Sequence, residues 1–286
     1  MPRRNPADRI VRSRVSEALH FPDLTERRTL RLDAVQRYLG RSHFAPWHRI
    51  LGTPDFTNLT GVFSPLVHVE LAVDDVPCGL GERLLVRGEG GLARTLDEQG
   101  ALRHLIRDGR HEVWVPDGPR LATARLVNVF TRYDPDPVRR RVTELPEAWG
   151  LGPGPSRTAE VPSLDTLVPA DRAPDLVDAV PHVWHFDQTD ANRHVNGNEY
   201  LRVMTSWLSD VLHAAGHDLR RLWPAQARIV YRKPCFRGEG YRRVAWFQGE
   251  APLVLAGAFQ KADDPPGAVP AAAVELTFRQ HPAPDA

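Results

Sequence analysis

The stretch that decides the fold is HFDQTDANRHVNGNEY, residues 185–200. Most of its side chains can donate or accept a hydrogen bond, and apolar residues at helical spacing follow it as far as Gly216, which supplies a stop signal. The sequence therefore predicts one long amphipathic helix with polar groups before its N-terminus. The apolar positions of that helix are Tyr200, Val203, Met204, Trp207, Leu208, Val211, Leu212 and Ala215.

The residues around this helix have the composition of β-strands. His182–Asp187 precedes it as a short strand, and four segments rich in Val, Phe, Tyr and Leu follow it, separated by Gly and Pro. The predicted order in the second half is strand, helix and a four-stranded antiparallel meander. The meander strands are predicted at Arg228–Cys235, Tyr241–Gln248, Leu253–Gln260 and Ala273–Arg279.

A repeat indicates that the chain is duplicated. The pattern P-C-x-x-G-E occurs at residues 77–82 and again at 234–239, an offset of 157 residues. Without a gap, the same offset pairs Asp33 with Asp190 and Gly40 with Gly197. One offset that aligns three separate places predicts two copies of one unit.

The first half shows the same order of elements. It has a strand at Thr29–Leu32, a helical region at Ala34–Leu51 interrupted near Pro46, and several strands after it. We predict an α+β fold, a tandem (double) hotdog in which each half is a long helix wrapped by a curled antiparallel sheet. The strands are predicted at Leu66–Val73, Arg83–Thr95, His104–Ile106, His111–Val115 and Leu121–Tyr133, with a turn at Asp108-Gly109.

These patterns predict an N-terminal hotdog at residues 1–135, without a complete active site, and a C-terminal hotdog at 177–286 that carries the polar motif. Residues 136–176 are interpreted as a linker rich in Pro and Gly. The wider stretch Asp134–Asp175 is expected to run exposed over the surface.

Composition excludes several classes of protein. The 37 basic and 36 acidic residues are spread along all 286 positions, which argues against a nucleic-acid partner. No run approaches the roughly 18 apolar residues of a membrane span, so we expect a cytoplasmic protein without a membrane partner. Cys78 and Cys235 are expected to be reduced and structural, because the half that contains Cys78 lacks the polar motif. A homodimer is compatible with the sequence.

The polar segment offers chemistry for acyl transfer. Donors at a helix N-terminus can stabilise the oxyanion of an attacked carbonyl, a carboxylate can activate water or attack directly, and an imidazole can relay the proton. Asp190, Asn192 and His194 are the candidates for these roles. The simpler interpretation is that Asp190, Asn192 and Asn196 only cap the helix.

Metal binding is a weaker interpretation of the same segment. A calcium loop counted from Asp187 or Asp190 lacks both Gly at position 6 and Glu at position 12. A zinc site formed by His185, Asp187 and His194 is conceivable. We predict neither a metal nor a cofactor.

The run Asp190–Asn196, with Tyr200 behind it, resembles the D-x-N-x-H-V-N-N-x-x-Y motif of hotdog acyl-carrier-protein thioesterases and their acyl-CoA thioesterase relatives. Tyr231–Cys235 resembles the Y-R-R-E-C segment of the plant-type enzymes. The resemblance implies a thioesterase that acts on an acyl-CoA or acyl-carrier-protein thioester. It implies Asp190 as base or nucleophile, with Asn192 and His194 orienting water and substrate. The same motif predicts four substrate-binding residues: Asn196, Gly197, Asn198 and Tyr200.

The sequence departs from this motif at three positions. Gly197 stands where a second Asn is usual, Pro234 replaces a glutamate, and Asp187 lies one residue further from Asp190 than in the common D-x-D spelling. In the first half, Val35 and Arg37 occupy the places of Asn192 and His194, so this copy is predicted to be structural. A contribution from Asp33, His43 or His48 is left open.

Other functions compete with hydrolysis. Tyr38–Phe44 and Leu51-Gly52 faintly resemble a double-hotdog acyltransferase/decarboxylase family of polyketide pathways. A dehydratase is a further alternative, although its His stands three residues after the Asn, whereas Asn192 and His194 are two apart. A non-catalytic acyl-binding module would follow if Asp190 were only a cap. A basic region could meet a phosphopantetheine or an acidic carrier protein; it comprises Arg228, Arg232, Lys233, Arg237, Arg242 and Arg243.

Overall fold

A computed structural model describes residues 5–51, 61–79, 81–152, 154–169, 171–190, 193–250, 252–265 and 267–280. Side chains are described for all of these except 45, 46, 48–51 and 137. The chain divides into two compact units. The first comprises Met1–Val69 and Asp74–Val161, and the second comprises Glu70–Val73 and Pro162–Ala286.

The first unit is built on a long helix and antiparallel strands. Strands β1, β4, β5 and β6 pair antiparallel in that order, and α1 packs against all four. The elements are β1 (Val11–Ala18), α1 (Leu32–Leu51), β2 (Val62–Phe63), β3 (Leu66–Val73), β4 (Arg83–Leu96), β5 (Leu102–Trp114), β6 (Arg120–Val129), β7 (Thr131–Arg132) and the short α2 (Pro137–Arg140).

The second unit also has one long helix on an antiparallel sheet, but the predicted four-stranded meander is wrong, because the first of the four strands pairs with the last and not with the next along the chain. Strands β10, β13, β12 and β11 pair in that order, and β11 also pairs with β8 and β9. The elements are β8 (Leu176–Val177), β9 (His182–Val183), α3 (Gly197–Ala214), β10 (Leu222–Tyr231), β11 (Gly240–Glu250), β12 (Leu253–Lys261) and β13 (Ala272–Gln280). None of the described helices has the length and apolar character needed to cross a bilayer.

Close contact between α3 and its sheet depends on a glycine. A Cβ atom at Gly257 in β12 would lie 2.3 Å from the Met204 sulfur of α3, far inside van der Waals contact. A larger residue would force the Met204 side chain out of this position. Most of the apolar face predicted for the helix is buried, whereas Val211 is half-buried and Ala215 is exposed. The buried residues of the helix are Tyr200, Leu201, Val203, Met204, Trp207, Leu208 and Leu212.

The predicted turn at Asp108-Gly109 is wrong, because β5 runs unbroken through both residues. Asp108 is buried and paired with Arg125 at 2.9 Å. A Cβ at Gly109 would lie 3.0 Å from His43 Nδ1 and 3.1 Å from His111 Nε2. Packing inside the unit, and not a turn, therefore requires glycine here.

Helix α1 continues through Pro46, where the sequence predicted an interruption. Proline has no N–H for the carbonyl four residues earlier, which belongs to Ser42. That carbonyl accepts a hydrogen bond from the Ser13 hydroxyl of β1 at 2.9 Å. The lost backbone bond is replaced by a side chain from a strand that the sequence analysis had missed.

The stretch predicted to be an exposed connector carries buried side chains. Val142, Trp149 and Leu151 lie in a core cluster of the first unit with Trp47 and Phe130. Leu164 and Leu167 lie in a core cluster of the second. The expectation of an exposed connector is therefore wrong for these residues, because the abundance of Pro and Gly concealed apolar positions that anchor the stretch.

Candidate active site

The polar motif forms a tight hairpin before α3. The Arg193 N–H donates to the Asp190 carbonyl and the Asp190 N–H donates to the His194 carbonyl, both at 2.9 Å. Arg193 adopts a left-handed conformation with φ of 64°. Asp190 is exposed and His194 is half-buried. The hairpin therefore brings the backbones of Asp190 and His194 opposite each other, while Asn192 lies outside the described residues.

The hairpin is held at its base and along one side. Thr189 and Val195 form an antiparallel bridge, and the Asn196 N–H donates to the Gln188 carbonyl at 2.8 Å. On its other side, the Val195 N–H donates to the Cys235 carbonyl at 2.9 Å. These backbone bonds fix the position of the motif relative to the helix that follows it.

The ring of His194 lies against an aromatic side chain. His194 and Phe236 form a β-bridge, and their rings meet edge-on with centroids 5.1 Å apart. This contact restricts the imidazole on one side. The motif histidine is thus placed beside the segment that contains Cys235 and Phe236.

Asn196 is the N-cap of α3. Its side-chain oxygen accepts from the Asn198 N–H at 3.0 Å, so one donor of the first helical turn is occupied by the cap. The carbonyl of Gly197 accepts from the Tyr231 hydroxyl at 2.9 Å. Three of the predicted substrate-binding residues, Asn196, Gly197 and Asn198, thus make hydrogen bonds that fix the N-terminus of α3.

Tyr200 is buried among the rings of Trp184, Tyr231 and Phe259. Its hydroxyl oxygen accepts from the Cys235 N–H at 3.0 Å. Burial raises the pKa of Tyr200 well above its ordinary value of 10, so the phenol stays neutral. Its described contacts fit a residue that positions the strand segment beside the motif.

Both cysteines are buried thiols. Burial raises the pKa of Cys235 to about 11, and burial followed by the charge of Glu82 raises that of Cys78 to about 11. Thiols with such pKa values are poor nucleophiles at neutral pH. This supports the structural role expected for both.

A cleft of about 350 Å³ opens next to Phe236. At its wall, Glu239 accepts from the Tyr241 hydroxyl at 2.6 Å and from Lys261 Nζ at 2.7 Å. Burial raises the pKa of Glu239, but the hydrogen bonds from Lys261 and Tyr241 outweigh it and hold the pKa below its ordinary value. The lining residues are Lys233, Pro234, Phe236, Glu239, Tyr241, Lys261, Asp264, Val269 and Ala271.

This carboxylate is not among the site residues predicted from the sequence. Glu239 ends the repeated P-C-x-x-G-E pattern, from which only a duplication is predicted. The signal was therefore present in the sequence. What could not be read from it was that Tyr241 and Lys261, from two different strands, meet on Glu239.

Several members of the predicted basic region are neutralised. Arg228 makes a two-pronged ion pair with Glu275, with both bonds at 2.7 Å, and Arg243 pairs with Asp178. Arg237 lies over the Phe186 ring at 5.6 Å. Lys233 instead lines the cleft, where its charge faces the space that a ligand could enter.

The other candidates are dispersed. Asp33 lies in the first turn of α1 and pairs with Arg31 at 2.7 Å, and His43 is a buried residue of the same helix. The His48 side chain lies outside the described residues. Within the described ranges, no three His, Cys, Asp or Glu side chains come together as metal ligands, and this includes His185, Asp187 and His194.

Comparison with known structures identifies solved proteins whose fold is shared over nearly the whole chain. The chain is similar to a Lactobacillus plantarum protein described as an oleoyl thioesterase (TM-score 0.70, 18% identity, covering 97% of this chain and 99% of that one). It is also similar to an acyl-ACP thioesterase from Bacteroides thetaiotaomicron (0.66, 12%, 94% and 98%) and to the 12:0-ACP thioesterase from Umbellularia californica (0.66, 17%, 94% and 94%). No protein-family model and no curated protein sequence matches the chain. At these identities the likeness concerns the fold.

Proposed function

We propose that the chain hydrolyses an acyl thioester carried by coenzyme A or an acyl carrier protein. The observation that carries the proposal is the hairpin that sets Asp190 and His194 opposite each other directly before the N-terminus of α3. The proposal is supported by the likeness to acyl-ACP thioesterases, which extends over nearly the whole chain. The motif and the fold thus point to the same class of reaction.

In this proposal Asp190 acts on the water or on the carbonyl carbon. As a base it takes a proton while the water oxygen bonds to the thioester carbon; as a nucleophile it forms an acyl anhydride that water then opens. The tetrahedral intermediate collapses by breaking the C–S bond, and the leaving thiolate takes up a proton. Asn192 and His194 orient the water and the carbonyl, and the positive end of α3 stabilises the oxyanion.

The proposal includes a tandem hotdog, with residues 1–135 and 177–286 as its halves and 136–176 as the connection. One long helix on an antiparallel sheet in each unit supports it. The N-terminal half is proposed to lack a complete site, because Val35 and Arg37 occupy the positions of Asn192 and His194.

The substrate is proposed to meet the motif from its exposed side. Asn196, Gly197 and Asn198 are half-buried at the start of α3 and are placed to contact the acyl thioester. Tyr200 contributes by fixing the Cys235 backbone, since its hydroxyl is already engaged there. Lys233 on the neighbouring cleft offers a cation to a phosphate of the carrier.

The deciding experiment is mass spectrometry after the protein is mixed with matched acyl-CoA and acyl-carrier-protein thioesters. Release of the free acid together with the free thiol supports the proposal. An acyl group transferred to another acceptor, loss of carbon dioxide or loss of water would instead identify one of the competing reactions. No change in any thioester would favour a binding module. The ratio of kcat/KM for the same acyl group on the two carriers then identifies the carrier.

A further inference from the structure

Arg107 is a buried cation with unpartnered donors on two of its three nitrogen atoms. It lies on β5 with 1% of its surface exposed, and neither Nε nor Nη2 has a hydrogen-bond partner among the described residues. No described residue forms an ion pair with it. A buried guanidinium normally meets a carboxylate or several carbonyl groups, because its desolvation is otherwise uncompensated.

Two aromatic rings of α1 cover the guanidinium. Its central carbon lies 4.6 Å from the ring centre of Trp47 and 5.4 Å from that of Phe44, one helical turn earlier. These contacts favour a cation but supply no acceptor in the plane of the guanidinium. Trp47 is buried, whereas Phe44 is 49% exposed, so movement of the Phe44 side chain would open a path from solvent.

The neighbouring polar side chains are occupied with one another. Asn128 Nδ2 donates to the Ser64 carbonyl at 2.9 Å, which leaves Asn128 Oδ1 to accept from His43 Nε2 at 2.8 Å. The unprotonated His43 Nδ1 then accepts from His111 Nε2 at 3.2 Å. His111 Nδ1 in turn accepts from the Ser42 hydroxyl at 3.1 Å. Both ring nitrogens of His43 and of His111 are engaged in these hydrogen bonds, so none can accept a hydrogen bond from Arg107.

The two histidines of this hydrogen-bonded series are also uncharged. Burial, and after it the charges of Arg107 and His111, lowers the pKa of His43 to about 3, and burial lowers the pKa of His111 to about 4. Burial lowers the pKa of Arg107 only to about 9, so Arg107 remains protonated at neutral pH. The next residue, Asp108, is committed to Arg125 and Arg157. Among the described residues of the first unit, Arg107 is therefore a fully buried cation with donors that have no partner.

We infer that Arg107 anchors a second ligand site, in the first unit, that binds a carboxylate with an apolar tail. The planar fork of a guanidinium matches the two oxygens of a carboxylate, and a single positive charge balances a monoanion. The rings of Phe44 and Trp47 provide apolar surface for the atoms next to that carboxylate. The carboxylate has two sources: a free carboxylic acid, or the far end of a dicarboxylic acyl thioester. The inference concerns binding and stands independently of the proposed hydrolysis.

The test is calorimetric binding of octanoate to the whole protein, with octan-1-ol as the uncharged analogue. We expect octanoate to bind, and octan-1-ol to bind at least about tenfold more weakly. Arg107→Met keeps the length and apolar stem of the side chain and should weaken octanoate binding at least tenfold. Arg110→Met is the matched control, because Arg110 lies exposed on the same strand, three residues further along; this variant should bind octanoate as the wild type does.

Thermal unfolding separates a ligand site from a structural role. Without ligand, Arg107→Met should unfold at the wild-type temperature or above, because an uncompensated charge has been removed; octanoate should raise the unfolding temperature of the wild type only. A lower unfolding temperature for ligand-free Arg107→Met, with no octanoate shift in the wild type, would mean that the chain itself satisfies Arg107 and would overturn the inference. Equal octanoate binding by wild type and Arg107→Met would overturn it as well.

A comparison of octanedioyl-CoA with octanoyl-CoA distinguishes the two sources. If the far carboxylate of a substrate binds Arg107, Arg107→Met should lower affinity for octanedioyl-CoA at least tenfold and leave that for octanoyl-CoA unchanged. If a free acid is the ligand, only octanoate binding should change. Because these are binding measurements, they remain informative if neither thioester is hydrolysed, so failure of the proposed function and failure of this inference can be told apart.

Discussion

The starts of α1 and α3 show how one sequence framework gives two different local structures. At the offset of 157 residues, Asp33 corresponds to Asp190 and Gly40 to Gly197. Helix α3 begins at Gly197, so Asp190 lies in a hairpin seven residues before it. Helix α1 begins already at Leu32, so Asp33 lies in its first turn. The position related by this offset is a loop carboxylate in the second unit and a helix residue in the first.

Local sequence accounts for this difference. Residues 32–39 read LDAVQRYL, without a cap signal or a glycine, and all of them are helical. In residues 189–196, Arg193 takes a positive φ and Asn196 accepts the first capping bond, so the helix is delayed by two turns. No insertion is needed to make the hairpin. The difference in local sequence is therefore enough to give a loop with exposed polar groups where the corresponding residues of the first unit are helical.

The two units also differ in where their polar side chains lie relative to the long helix. In the second unit, Asp190 and His194 precede α3 and are at least partly accessible. In the first unit, Ser42, His43 and His111 are buried between α1 and the sheet. We therefore expect changes at the first set to affect turnover and changes at the second to affect stability.

The largest expected effect is on turnover, from Asp190→Asn. This change keeps the size and hydrogen-bonding capacity of the side chain but removes the negative charge, so kcat should fall by a factor of about 100 or more. The thermal unfolding temperature should stay near that of the wild type. Steady-state hydrolysis and a thermal melt of the same preparation measure both quantities.

Asp33→Asn is the matched control for that measurement. Asp33 is already paired with Arg31 and has no counterpart of Asn192 or His194, so activity should stay within about threefold of the wild type. Equal losses from the two substitutions would mean that the first copy shares in the chemistry. If neither lowers kcat, the catalytic assignment of Asp190 fails.

Much of the second unit was predictable from sequence because its signals are local. The observed β10–β13 overlap the four predicted strands, and α3 begins three residues before the first apolar position of its predicted stripe. In the first unit, the alternating VRSRVSEA of β1 was overlooked, although it reads as an edge strand. The glycine at position 109 indicates a turn in the sequence, but it is needed because the rings of His43, from α1, and His111 leave no space for a side chain. Such long-range packing cannot be read from the neighbouring residues.

In the candidate site, too, the features carried by adjacent residues were predictable from the sequence. The motif located the hairpin, because Asp, Asn and His are adjacent in sequence there. Glu239, Tyr241 and Lys261 were not connected, since they come together only when β11 and β12 pair. Likewise, His43 was considered singly, while its link to His111 and Asn128 joins a helix and two strands.

The next largest effect is on the pH dependence of stability. In the folded state the pKa values of His43 and His111 are lowered from 6.5 to about 3 and about 4, with burial as the largest cause. As pH falls below 6.5, the unfolded chain therefore binds protons that the folded chain does not, and the free energy of unfolding decreases. Each histidine contributes a slope of about 1.4 kcal/mol per pH unit between roughly pH 5.5 and 4.5.

His43→Gln tests this prediction more sharply, since it removes one of the two histidines that take up a proton on unfolding. Urea unfolding at several pH values should give a slope about 1.4 kcal/mol per pH unit shallower than that of the wild type. The slope is the informative quantity, because the substitution also changes stability at neutral pH. An unchanged slope would show that His43 is already protonated in the folded protein or accessible to water.

The smallest expected effect separates the cap from the site at Asn196. Its side chain accepts from the Asn198 N–H, so Asn196→Ala should lower the free energy of unfolding by about 1 kcal/mol, and Asn196→Ser, which can still cap, by much less. If Asn196 acts only as a cap, Asn196→Ser should also keep wild-type kcat/KM. If it contacts substrate as proposed, Asn196→Ser should keep stability but lose activity, because the hydroxyl cannot reach where the longer amide does. Urea unfolding and hydrolysis kinetics on the two variants therefore decide between these roles, and a loss of stability in Asn196→Ser as large as in Asn196→Ala would contradict the capping assignment itself.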